Sequence, residues 1–181
     1  MRIVYHSFAK KSNLSDRILQ TTTMPKIPTE TEKRISPAFQ ARLLELIDEQ
    51  DCTKYQFAAK VQVSVAVITR AAIYGIIPSL KILIKIADYL TIPLLYLLGE
   101  TDERSFDPTQ KTKTFHDRLE QLTEEKQTKY SKIAHMMPFS KNFFYEWQRT
   151  KTLPSLDYLK ALAEYFDVSV DYLLGRTDYR D

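Results

Sequence analysis

The chain has 181 residues, 44% of them hydrophobic and 27% charged, with a formal net charge of +3. This composition is typical of a globular protein with one domain or two small ones. A lone cysteine, Cys52, and three scattered histidines exclude an internal disulfide framework and disfavour a zinc site, so we expect no metal and a reducing cytoplasm. The sequence contains no run of about 18 apolar residues, so we predict no membrane span. The N-terminal residues lack the pattern of a secretory signal, so none is expected.

Positive charge is concentrated at the N-terminus. Residues 1–38 contain seven Lys or Arg and three Asp or Glu, a net charge of +4. Residues 39–102 and 115–178 each have a net charge of −1. We interpret residues 1–38 as a basic arm, and their Pro- and Thr-rich composition favours a flexible leader over an arm that follows a nucleic-acid groove. Met24 is an alternative candidate for the first residue of the translated protein.

The chain contains an internal repeat. Residues 39–102, the first unit, align without a gap on residues 115–178, the second unit, and 19 of 64 positions are identical. This similarity indicates duplication. The polar segment 103–114 between them is predicted to be a linker, and residues 115–181 are predicted to form the second domain.

The apolar spacing predicts five short helices in each unit. Phe39, Leu43 and Leu46 share one helix face, as do their counterparts in the second unit. Second helices are predicted over 54–61 and 130–137, each followed by a tight turn. Serines are predicted to cap the third and fourth helices, and glycines to end the fifth. These positions are Ser64, Ser140, Ser79, Ser155, Gly99 and Gly175.

Two pairs of segments resemble a known family. The closing phrases "KIADYLTIPLLYLLGETD" and "ALAEYFDVSVDYLLGRTD", with the turn segments "VQVSVAVITR" and "MPFSKNFFYEWQR", resemble the lambda-repressor-like (Cro-type, XRE) helix-turn-helix family. The resemblance implies an all-α fold of two tandem five-helix domains. It implies a phage-repressor type, DNA-binding transcription regulator in the bacterial cytoplasm, at the nucleoid. Gln62 and Pro138 stand where the family's turn usually has glycine.

In the second unit the third helix offers polar groups for DNA. We predict base contacts from Lys141, Asn142 and Tyr145, because Asn pairs with adenine and Lys reaches guanine acceptors. Polar or cationic side chains at the helix ends are predicted to contact the DNA backbone. These are Tyr130, Ser131, Ser140, Arg149, Lys151 and Thr152. The alternative, ordinary solvated side chains on a surface helix, is less favoured.

In the first unit the corresponding helix is apolar on its outward side. Val65, Ala66, Ile73 and Ile76, with Ala72 also predicted to face outward, indicate a protein interface. Its occupant is a second copy of the chain, the other repeat or a foreign partner. An equally weighted alternative is a degenerate reader that contacts the DNA backbone. It would use Lys54, Ser64, Thr69 and Arg70.

Two function classes therefore remain. The first is a transcription regulator, with the second domain reading DNA. The second is a protein-interaction regulator of the antirepressor, antitoxin or immunity type, which would use the apolar helix. With three glycines, the chain contains no phosphate-binding glycine loop, and neither a metalloprotease motif nor a nucleophile elbow is present. We expect no enzymatic activity and no cofactor.

Overall fold

The computed structural model describes residues 35–109 and 113–180. These residues form ten α-helices, five in each unit. They are α1 (Pro37–Glu49), α2 (Lys54–Val61), α3 (Val65–Tyr74), α4 (Leu80–Leu90), α5 (Leu94–Leu97), α6 (Phe115–Glu125), α7 (Tyr130–His135), α8 (Asn142–Thr150), α9 (Leu156–Phe166) and α10 (Val170–Leu173). None of the helices in these ranges is long and apolar enough to cross a membrane.

The first unit begins before residue 39. Ser36 accepts a capping hydrogen bond from the Phe39 amide at 3.2 Å, and Pro37 occupies the first turn of α1. Ile35 forms an antiparallel bridge with Ile76. The predicted arm and the first unit therefore overlap at residues 35–38. The rest of that arm, including Met24, lies outside the described residues.

The predicted inner faces form the core. Phe39, Leu43 and Leu46 are fully buried, and Phe57 and Ile68 join them from α2 and α3. The equivalent core residues of the second unit are Phe115, Leu119, Leu122, Ile133 and Phe144. The shared apolar spacing thus places the same helix faces inward in both units.

The repeated segments 96–102 and 172–178 each supply a tyrosine and an aspartate that contact an arginine of the first helix of the same unit; we call this set of contacts the arginine clamp. The Arg42 guanidinium lies 3.9 Å from the ring centroid of Tyr96 and donates to Asp102 at 2.9 Å. The identical residues of the second unit repeat these contacts. They are Arg118, Tyr172 and Asp178. Each clamp ties the last helix of a unit to its first.

Glycine is required where each fifth helix ends. Gly99 and Gly175 adopt φ values of +70° and +72°. A Cβ at Gly99 would lie 2.8 Å from the carbonyl oxygen of Ala38, and one at Gly175 would clash with the Lys113 carbonyl. The predicted helix stops are confirmed, and their cause is both the left-handed backbone and the close approach of the first helix.

The turn between the second and third helices differs between the units. Gln62 adopts the left-handed conformation with φ 58°, which lets α2 continue to Val61. Pro138 cannot adopt it, because its ring fixes φ near −65°. α7 therefore ends at His135, two residues short of the predicted 130–137.

Of the four predicted serine caps, three occupy the N-cap position, but only one of them forms the capping hydrogen bond. Ser64 and Ser79 occupy the N-cap positions, but their hydroxyls make no capping hydrogen bond. Ser140 is not a cap because α8 begins one residue later than its counterpart, with Lys141 at the N-cap. Ser155 does cap α9, accepting from the Tyr158 amide at 3.4 Å.

The first part of the linker packs on both units. Arg104 makes a two-pronged contact with Glu49 of α1, at 2.9 and 2.7 Å. Phe106 lies under the guanidinium of Arg176, and the Thr109 amide donates to the Arg176 carbonyl at 3.2 Å. The segment therefore connects the first unit to the C-terminal end of the second.

Candidate nucleic-acid interface

The first unit contains a well-formed helix-turn-helix. A capping box starts α2, with Gln56 N donating to Thr53 Oγ1 at 3.2 Å and Thr53 N donating to Gln56 Oε1 at 2.9 Å. At the other end, the amides of Gln62 and Val63 donate to carbonyls of the last turn of α2. These bonds close α2 and direct the chain into α3 at a defined angle.

The exposed residues of α3 are Val65, Ala66, Arg70, Ile73 and, at its last position, Tyr74. We call the first four the α3 surface. Val65 is 37% exposed and Ile73 51%. The outward placement predicted for Ala72 is wrong: it is 3% exposed, because it lies one turn beyond the buried Ile68.

Ile76 lies beyond α3 and is half-buried, in the bridge with Ile35. It therefore belongs to the edge of the α3 surface.

Several predicted first-unit contacts converge near the start of α3. Lys54, Val65 and Thr69 line an open groove of about 580 Å³ between α1, α2 and α3. Ser64 is exposed, as is Arg70, whose Nε donates to the Ala66 carbonyl at 3.2 Å. The groove is lined by the Lys54 cation, the Asp48 carboxylate and apolar side chains such as Val65. It can therefore contact a methyl group, and Lys54 can contact a phosphate only on the side away from Asp48.

Five of the exposed polar residues of α8 and its N-cap lie on one side of the helix. This α8 surface comprises Lys141, Asn142, Tyr145, Glu146 and Arg149, and all five are exposed. Opposite them, Phe144 is fully buried and Trp147 is 5% exposed. The three residues predicted to contact bases therefore face outward from the first two turns, where a groove-bound helix meets base edges.

Glu146 is a candidate binding residue that the sequence did not lead us to predict. It lies one turn after Asn142, on the same side of α8, at the repeat position occupied by Arg70 in the first unit. A carboxylate repels phosphates but accepts a hydrogen bond from the cytosine amino group. The exchange of Arg for Glu in the aligned repeats is the signal that could have identified it.

Tyr130 is held within the second unit. Its ring stacks on Phe144 with centroids 4.9 Å apart, and its hydroxyl accepts a hydrogen bond from Gln148 Nε2 at 3.1 Å. Burial raises the pKa of the Tyr130 hydroxyl, against the effect of the Gln148 bond. Tyr130 thus supports α8 from behind.

The other predicted backbone contacts surround the α8 surface. Lys151 ends α8 in the left-handed conformation and donates to Gln148 Oε1 at 3.3 Å. Thr152 shares a hydrogen bond of 2.7 Å with Thr150. The exposed members of the predicted set are Ser131, Ser140, Arg149, Lys151 and Thr152.

The two units secure the end of the third helix differently. Gln40 Nε2 donates to the carbonyls of Ala72 and Ile73 at 3.0 and 2.8 Å. His116 occupies the equivalent position, is 8% exposed, and neither ring nitrogen forms a hydrogen bond of normal geometry within the described part of the chain. Burial, aided by the charge of Lys151, lowers the pKa of His116. A neutral imidazole therefore occupies the place of the Gln40 amide.

Comparisons with known proteins find a similarity within the first unit. A family model described as helix-turn-helix matches residues 43–97. The uncharacterized HTH-type transcriptional regulator YobD of Bacillus subtilis (strain 168) is 36% identical over 64 residues, which are 35% of this chain and 57% of that protein. No solved structure matches the chain. The predicted helix-turn-helix resemblance is confirmed for residues 43–97, whereas the second copy remains a prediction.

Proposed function

We propose that the protein is a sequence-specific, DNA-binding transcription regulator with two tandem lambda-repressor-like domains, 39–102 and 115–181. The observation that carries this proposal is the outward placement of Lys141, Asn142 and Tyr145 on the α8 surface. α8 aligns with α3 of the first unit in the internal repeat, and α3 lies within residues 43–97, the segment that matches the helix-turn-helix family model. The second domain is the main sequence reader.

The α8 surface has donors and acceptors suited to base edges. The Asn142 amide can pair with adenine through two hydrogen bonds, and the Lys141 ammonium can donate to guanine. Glu146 adds an acceptor for cytosine and lowers tolerance for a phosphate at its position. A preference for sequence, beyond a general attraction to DNA, follows from this mixture.

Cations at the edge of each surface supply affinity for the DNA backbone. Arg149 and Lys151 do so at the end of α8, and Lys54 and Arg70 near α3. Each neutralised phosphate releases counterions, so binding weakens with salt. Occupation of an operator that overlaps a promoter would repress transcription sterically, and binding beside a promoter would assist the polymerase.

Titration of the full chain into fragmented genomic DNA tests the proposal. With about six phosphate contacts, affinity should fall roughly 10³-fold between about 50 and about 200 mM salt. Replacing Arg149 by Gln should reduce this salt slope by about one contact, whereas the control Arg104→Gln, in the linker, should not. Absence of binding at both salt concentrations would refute the proposal.

A second candidate function rests on the α3 surface. Val65 and Ile73 remain exposed, although apolar side chains on this side of a helix are usually covered. The other repeat does not cover them, because the units meet through α5 and α10. A protein-interaction regulator of the antirepressor, antitoxin or immunity type would use this surface. It is favoured if DNA binding is absent while Val65→Lys abolishes self-association or capture of a partner.

A further inference from the structure

The two units meet through their fifth helices. α5 and α10 pack together, and the Leu94 amide at the start of α5 donates to Asp171 Oδ2 at 2.9 Å. Pro93, at the N-cap of α5, has no side-chain acceptor. A carboxylate of the second unit therefore caps a helix of the first, within an interface where Leu94 is fully buried.

Arg176 is buried at the centre of this interface. Its side chain is 1% exposed. It donates to Asp88 of α4 at 2.8 Å and to the Ile92 carbonyl at 2.9 Å, and it pairs with Asp171. A buried guanidinium with three partners fixes orientation, because any shift leaves a charge unpaired.

The contact has the pattern of a two-fold axis. Arg176 of the second unit reaches α4 of the first unit. Its repeat counterpart, Glu100 of the first unit, reaches α9 of the second, where Lys160 Nζ lies 2.6 Å from Glu100 Oε2. α4 and α9 are themselves counterparts. At the level of helices, exchange of the two units maps the contact of residue 176 with α4 onto the contact of residue 100 with α9, with the charges reversed. The partner residues themselves differ, since Asp88 corresponds to Glu164 and Lys160 to Ile84.

This charge pattern favours pairing of unlike units. In a pair of two first units, Glu100 would face Ile84 and Asp88 in place of Lys160, and α5 would lose the Asp171 cap. The linker adds a tether, since residues 103–109 pack along Arg176 and the C-terminal tail. A short tether raises the effective concentration of the second unit to about the millimolar range, so pairing within one chain prevails.

We infer that a single chain acts as an internal heterodimer and binds, as a monomer, one DNA site made of two unlike half-sites. This inference rests on the proposed function. A two-fold rotation leaves equivalent points at the same height along its axis, so units related in this way would present α3 and α8 on the same side of the molecule. The half-sites differ because Val65 and Ala66 on one helix replace Lys141 and Asn142 on the other.

The recognition chemistry of each half-site follows from these side chains. The half-site under α8 is read by hydrogen bonds. The half-site under α3 offers thymine methyl groups to Val65 and Ala66, with phosphates for Lys54 and Arg70. If both helices enter successive major grooves, the half-site centres lie about 10 base pairs apart.

Zero-length cross-linking tests the pairing without DNA. A water-soluble carbodiimide, which takes up the elements of water, should join the Glu100 carboxylate and the Lys160 amine as an amide within one chain. Mass spectrometry of the digested monomer should show the 100–160 peptide. Lys160→Arg keeps the charge and should abolish it. A peptide found only in a dimer band, or none in the monomer, would overturn the internal pairing.

Stoichiometry on DNA tests the rest. Native mass spectrometry of the full chain on a selected duplex should show one chain bound. That duplex should bind at least about 10²-fold more tightly than either version with one half-site scrambled. Two chains per duplex, or equal affinity for a single half-site, would overturn the inference while leaving the proposed function intact. Absence of binding to any duplex would instead refute the proposed function, and the inference with it.

Discussion

The first and second units share their interior and differ on the surface that would face DNA. Both bury the same helix faces and both tie the fifth helix to the first through an Arg–Tyr–Asp clamp. On the third helix, however, Val65 and Ala66 correspond to Lys141 and Asn142, and Arg70 corresponds to Glu146. The comparison teaches that two units with the same helix order can keep their packing residues and differ in binding chemistry at exposed positions, where substitutions cost little stability.

The largest expected effect concerns the interface that joins the units. Replacing Arg176 by Met should lower the free energy of unfolding by about 3–5 kcal/mol, because the buried Asp171 carboxylate loses its cation. Urea denaturation measures the change. The matched control is Arg180→Met, which removes an exposed pair with Glu125 and should cost less than about 1 kcal/mol. Equal losses for the two variants would show that the inter-unit contact contributes little.

The next effect separates the two candidate DNA surfaces. Asn142→Ala should weaken binding to the preferred DNA by about 1–3 kcal/mol and to random DNA very little, since a base contact is lost. Its repeat counterpart Ala66 supplies the matched variant, Ala66→Asn, which should alter preference at the other half-site only. Fluorescence anisotropy gives the affinities. A loss of equal size on both DNAs would contradict a base-reading role for Asn142.

A pH effect distinguishes the units through their first helices. The pKa of His116 is lowered in the folded chain, so below about pH 6.5 the unfolded chain binds the extra proton first. The free energy of unfolding should therefore fall as the pH drops from 6.5 to the folded pKa, by about 1.4 kcal/mol for each pH unit.

The His116→Gln variant should remove this dependence, because glutamine does not titrate and Gln40 already occupies the equivalent position. Urea denaturation between about pH 5 and 7 makes the comparison, with His135→Gln as the exposed control. An unchanged pH dependence in His116→Gln would assign it to other groups.

The smallest effect concerns the turns. Gln62→Gly should stabilise the chain by about 0.5–1 kcal/mol, because Gln62 adopts a left-handed conformation that glycine accepts without a Cβ penalty. Pro138→Gly should destabilise it slightly, since the unfolded chain gains freedom and no left-handed residue is relieved. Thermal unfolding resolves the two signs. A stabilising Pro138→Gly would mean that proline strains the second turn.

Periodicity predicted the fold well where a residue's partner lies in its own unit. The apolar spacing located the core, and the repeated "YLLG" phrase located the fifth helices and their glycine stops. Turn chemistry was less predictable: a serine before a helix does not fix its own rotamer, and the early end of α7 at His135 depends on Pro138, three residues later.

The contacts between units lay beyond sequence reasoning. From the sequence, Arg176 resembles an ordinary surface arginine. Its one distinguishing feature is that the aligned residue of the first unit, Glu100, has the opposite charge, while the residues around the two positions are identical. Its burial depends on Asp88, 88 residues earlier, which local spacing cannot predict. The outward positions on α8 follow from the helix period alone, so the exposure of Lys141, Asn142 and Tyr145 was predictable from the sequence.

Selection of duplexes from a random DNA pool by the full chain tests the contrast between the α3 and α8 surfaces most directly. We predict an asymmetric site, with one half-site of high information content that loses it in Asn142→Ala and a second, weaker half-site about one helical turn away. A palindromic site bound by two chains, or a pool with no enriched sequence, would contradict the account.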